Sequence, residues 1–106
     1  MLLLFSSAAW CDERVDHIRA AAAEVRGMDL SQAREAVLRC YEKQFSYQTC
    51  VAQDFIVSNI AARSARDPLG VLEEMADRIT GSMARNQVPL ADAQQFILLV
   101  KEHGFQ

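Results

Sequence analysis

Apolar side chains recur every three or four residues along most of the chain, and no stretch of strand length alternates apolar with polar residues. A spacing of three to four residues places side chains on one face of an α-helix. The pattern therefore predicts an all-α fold. We expect a compact bundle of about five amphipathic helices, with a helical hairpin turning near Ser46.

Capping residues mark where the first two helices begin. We expect the first to start near Asp12 and to end at Gly27, with acids in its first turn and a base in its last, which suits the helix dipole. The second is introduced by Asp29, with Gln32 three residues later, which is the pattern of a capping box.

The second half of the chain has its own boundaries. Asp67 followed by Pro68 predicts a helix start, because proline is tolerated at the first helical position. Residues 86–89 are interpreted as a loop before the last helix. We expect Gly104 to end that helix in a left-handed conformation, with Phe105 packing back on Val100. The apolar stripes of the third and fourth helices include Ile60, Leu69, Ala76 and Ile79.

The hairpin and a disulfide bond depend on each other. Residues 31–65 contain no glycine or proline and could form one long helix. In a continuous helix Cys40 and Cys50 would lie about 15 Å apart, whereas a disulfide needs Cα atoms within about 7 Å. Ser46 and Thr49 are both competent helix N-caps. A reversal near Ser46 would bring the two cysteines face to face.

The cysteines leave three interpretations open. Cys40 and Cys50 form a disulfide, or Cys11 takes part in a different pairing, or the cysteines are reduced and act as small buried apolar side chains. A Cys40–Cys50 bond is the preferred interpretation. It would indicate an oxidising compartment.

Residues 1–10 form an apolar segment that runs into small residues, as at the end of a signal peptide, although the basic residues that begin such a peptide are missing. Residues 11–106 are then a single helical domain. We expect a periplasmic or secreted protein. The alternative is a cytoplasmic protein whose apolar N-terminal arm packs on the core.

Composition and motifs exclude several functions. The chain is 51% hydrophobic and 24% charged, which is too apolar for a disordered protein. Its net charge of -3 comes from interspersed acids and bases, so we expect no nucleic-acid ligand. No apolar run reaches the roughly 18 residues of a membrane span. CxxC, HExxH, GxSxG and phosphate-loop motifs are missing, and the acids are predicted on outer faces, so we expect no metal, cofactor or catalytic residue.

A binding function remains by elimination. The first hypothesis is an exported, non-catalytic module that binds another protein or itself, of the inhibitor, immunity, chaperone or assembly-subunit type. Phe45 and Tyr47 at the hairpin tip are its candidate contacts, unless they plug the end of the bundle. The second hypothesis is a helical carrier of an apolar ligand, helped by Met75, Met83 and Phe96. A thiol redox protein is the third.

Overall fold

The computed structural model describes residues 12–43 and 46–105. Within these ranges the chain forms five helices and no strand, which confirms the all-α bundle. The helices are α1 (Glu13–Arg26), α2 (Leu30–Glu42), α3 (Tyr47–Ser64), α4 (Pro68–Arg85) and α5 (Leu90–His103). The predicted N-terminal segment 1–10, Cys11 and Phe45 lie outside the described residues.

Three aspartates start helices as the sequence predicts. Asp12 accepts a hydrogen bond from the backbone N–H of Arg14 and caps α1. Asp29 caps α2 in a complete capping box, in which its carboxylate accepts from the N–H of Gln32 at 2.8 Å while the Gln32 side chain accepts from the N–H of Asp29 at 3.2 Å. Asp67 accepts from the N–H of Gly70, and Pro68 is the first residue of α4. Each cap satisfies a backbone donor that the helix itself leaves unpaired.

Helix α3 is the centre of the bundle, because each of the other four helices packs against it. Its side chains are buried around most of its circumference, in keeping with its weak amphipathicity. Helix α5 packs mainly on α1 and more lightly on α3. The main core cluster consists of Ile18, Ala21, Ala22, Val51, Ala52, Ile56, Met75, Ile79, Met83, Phe96 and Val100.

The C-terminal end differs from its prediction. Gly104 has a φ of −78°, so the predicted left-handed cap is wrong. The contact of Phe105 with Val100 stays a prediction. A glycine is still required there, since a Cβ atom would lie 2.7 Å from the backbone carbonyl oxygen of Val100 and 2.9 Å from Cδ1 of Ile56. The Phe105 ring lies edge-on to Phe55, with ring centroids 6.3 Å apart. Residues 104 and 105 thus pack on α3.

Parts of two predicted apolar stripes are also wrong. Ile60, Leu69 and Ala76 are exposed, although the sequence places them on buried faces. The buried residues of α4 are Met75, Ile79, Ser82 and Met83, a stripe that excludes Leu69 and Ala76. Among the described residues, no helix combines the length and the hydropathy needed to cross a membrane.

Candidate functional site

The chain reverses between α2 and α3, and a disulfide joins the two arms of the resulting hairpin. Helix α2 ends at Glu42 and α3 begins at Tyr47, with Ser46 as the residue preceding α3. The Cα atoms of Cys40 and Cys50 are 5.5 Å apart and their sulfurs are bonded. The turn near Ser46 and the crosslink therefore occur together, as geometry requires.

The surroundings of the disulfide are those of a structural crosslink. Cys40 and Cys50 are both buried. Thiol–disulfide exchange needs a thiolate to reach one of the sulfurs, so a buried bond reacts slowly. This position does not favour the thiol redox hypothesis.

A buried carboxylate links three helices. The side chain of Asp54 on α3 is 0% exposed. Arg78 on α4 donates to it from Nε and from one terminal nitrogen, at 2.9 Å each. The Tyr41 hydroxyl on α2 donates at 2.8 Å, and the Ser58 hydroxyl donates at 2.7 Å. Both carboxylate oxygens are thus fully used.

The Asp54 carboxylate favours the protonated forms of Tyr41 and Arg78. Burial, together with the neighbouring Asp54 carboxylate, raises the pKa of Tyr41, so the phenol remains a donor over the whole neutral range. The hydrogen bonds to Asp54 raise the pKa of Arg78. Every charged group has a fixed partner, and we interpret the network as a structural link rather than a reactive centre.

Asp54 also corrects a prediction. The acids were expected on outer faces, yet this one is in the core. Cys50, Asp54 and Ser58 recur at intervals of four residues and share one face of α3. That spacing next to a buried cysteine is a signal that could have identified the site.

The predicted tip contacts, Phe45 and Tyr47, are only partly described. Tyr47 begins α3 and is partly buried, with its ring edge-on to Phe96 at a centroid distance of 6.2 Å. This is the packing expected of a residue that plugs the bundle end. A role of Phe45 and Tyr47 in partner binding stays a prediction. Met75 and Phe96 belong to the core.

The described residues contain no cluster of three or more histidine, cysteine or carboxylate side chains that could hold a metal ion.

The structure does present an apolar groove, which we call the α4–α5 groove. It lies between two helices that follow each other in the chain but make few direct contacts. Its volume is about 650 Å³, and its lining includes Ile79, Met83, Val88, Leu90, Ile97 and Leu98.

A short, sharply turning connection joins the two helices that form the groove. The N–H of Val88 donates to the carbonyl of Met83 at 2.9 Å, and Gln87 has a φ of 55°, so the chain turns sharply after α4. Helix α4 then rests on α3, while α5 rests mainly on α1. The two helices are thus held by different neighbours, and the groove lies between them.

The groove exposes large apolar side chains without any charge. Leu90 is 74% exposed and Leu98 is 60% exposed, while Met83 and Ile79 are buried beneath them. The polar side chains among the lining residues are those of Thr80 and Gln94. A contiguous exposed apolar surface of this kind is typical of an interaction site. The apolar pattern of the sequence does not predict this groove, because the exposure of Leu90 and Leu98 depends on how α5 is rotated.

No protein-family model, no curated protein and no solved structure matches this chain. The interpretation of the groove therefore depends on its own geometry.

Proposed function

We propose that this protein is a non-catalytic binding module that holds an amphipathic helix of a partner protein in the α4–α5 groove. The observation that carries the proposal is the uncharged apolar groove with Leu90 and Leu98 exposed at its sides. Helix-in-groove recognition uses such a surface. Met83 suits it, because the flexible thioether adapts to different side chains.

The dimensions of the groove fit a helix of about two turns. From Leu90 to Leu98 the rise along α5 is roughly 12 Å. Apolar residues at positions i, i+3 or i+4, and i+7 of a partner helix extend over roughly 10 Å. Three such side chains can therefore contact the groove at once.

The disulfide supports a second part of the proposal, that the protein works in the periplasm or outside the cell. Disulfides persist in oxidising compartments and are rare in the cytosol. Alkylation of intact native cells tests this directly. Because both cysteines are buried, the cells are denatured in the presence of the reagent. We expect Cys40 and Cys50 to resist it until a reductant is added, and free thiols at both positions would contradict export.

The carrier of a small apolar ligand remains the second candidate, supported by the apolar lining of the same groove. The two candidates differ in the length of surface that the ligand uses. A helix contacts both Leu90 and Leu98, whereas a small molecule fits beside Met83 alone. Substitution at the outer leucines separates them.

The experiment measures binding of fluorescent helical peptides that carry an uncharged apolar stripe, with scrambled peptides of equal composition beside them. Leu98→Asp should weaken binding about 10- to 100-fold, because a buried leucine contributes about 1.5–3 kcal/mol. Leu69→Asp is the matched control, since Leu69 is similarly exposed on α4 but lies outside the groove. Equal affinities of the two variants, or of striped and scrambled peptides, would refute helix binding. Binding of an apolar dye without any peptide would favour the carrier.

A further inference from the structure

We propose that a second cavity, separate from the α4–α5 groove, binds a single-chain amphiphile with a carboxylate head. We call it the Arg26–Arg63 pocket. It lies among the end of α1, the start of α2, the second half of α3 and residues 104–105. Its volume is about 380 Å³.

The interior of this pocket is apolar. Val25, Ala33, Ile56 and Val57 line it, and all four are buried. Gly104 lines one side, where a Cβ atom would meet the Val100 carbonyl oxygen and the Ile56 side chain. The cavity is thus a preformed apolar space, which suits a hydrocarbon chain.

Positive charge lies at the pocket as well. Arg26 and Arg63, from the last turns of α1 and α3, are exposed and are among its lining residues. None of the described lining residues is acidic. Within the described part of the chain, Arg63 makes no ion pair. A guanidinium group binds a carboxylate through two parallel hydrogen bonds, so the pocket combines an apolar interior with an anion-binding mouth.

These features select the class of ligand. Ligand pockets usually measure about 300–1,000 Å³, and this one is near the lower end of that range. A single hydrocarbon chain fits such a space better than two chains do. Arg63 distinguishes a fatty acid from an alcohol of equal length. The α4–α5 groove has no charged lining residue and makes no such distinction.

The experiment compares decanoate, decanol and decyltrimethylammonium by isothermal titration calorimetry, each below its micelle-forming concentration. We expect decanoate to bind most tightly and the cation most weakly. Arg63→Ala should weaken decanoate binding about fivefold, and Arg63→Glu about tenfold or more, because it repels the carboxylate. The affinity for decanol should stay within about twofold.

Arg66→Glu is the matched control. It makes the same change of net charge three residues away, and Arg66 does not line the pocket. Equal effects of Arg63→Glu and Arg66→Glu on decanoate would overturn the proposal. So would equal affinities for decanoate and decanol, or the absence of saturable decanoate binding. Leu98→Asp should leave decanoate binding unchanged, so this test is independent of the function proposed for the groove.

Discussion

Removal of the Cys40–Cys50 disulfide should destabilise the protein mainly through the unfolded state. The bond closes a loop with a sequence separation of 10 residues. The loop-entropy relation then gives about 2.7 kcal/mol at room temperature for the loss of the crosslink. For a chain of this size, that corresponds to a fall in Tm of roughly 10–20 °C.

The comparison uses urea unfolding of the oxidised protein, the protein reduced with dithiothreitol, and the Cys40→Ala/Cys50→Ala variant. The reduced protein keeps both buried sulfur atoms, so its difference from the oxidised protein measures the crosslink alone. The double variant should lose slightly more, because it also removes buried side-chain volume. A reduced protein as stable as the oxidised one would refute the reasoning, since the hairpin would then be fixed by packing alone.

Three further predictions concern the polar contacts. Arg78→Met should lower the free energy of unfolding by about 2–3 kcal/mol. This is less than for a fully buried ion pair, because the Arg78 side chain is 30% exposed. A loss below about 0.5 kcal/mol in urea unfolding would contradict the structural role of the network. Tyr41→Phe should lower the free energy of unfolding at neutral pH, and this loss should shrink as the pH rises above about 10. Above that pH the unfolded tyrosine releases its proton, while the folded one retains it because its pKa is raised. A loss that stays constant with pH, measured from urea midpoints, would refute this. Asp29→Ala should lower the free energy of unfolding by about 1 kcal/mol through loss of the capping box. The control, Asp77→Ala on the exposed side of α4, should change it by less than about 0.5 kcal/mol. Equal shifts in Tm for the two variants would show that the cap contributes nothing.

Helix boundaries were predictable because they depend on local chemistry. Asp12, Asp29 and Asp67 start helices through hydrogen bonds to backbone N–H groups only two or three residues away. The turn near Ser46 was predictable for a geometric reason, since Cys40 and Cys50 cannot meet without it. Such information lies within a few residues of each feature.

The sites depend on contacts between distant residues, and these were not predictable. Asp54 is buried because Arg78, 24 residues later, reaches it from another helix. Leu98 is exposed because α5 packs on α1 rather than on α4. Gly104 is predicted from its place at a helix end, whereas the structure requires glycine because the Val100 carbonyl oxygen and the Ile56 side chain leave no room for a Cβ atom. A helical stripe shows which residues can be buried, and packing decides which of them are.

The central position of α3 has a consequence for how the molecule opens. Helix α5 can detach while the rest stays packed, but α3 cannot lose its contacts without the loss of the whole core. We expect amide protons in the middle of α3, around Ala52 to Ile56, to exchange with solvent only through global unfolding. Amides of α5 should exchange through smaller openings. Reversible detachment of α5 would widen the α4–α5 groove without unfolding the rest of the chain.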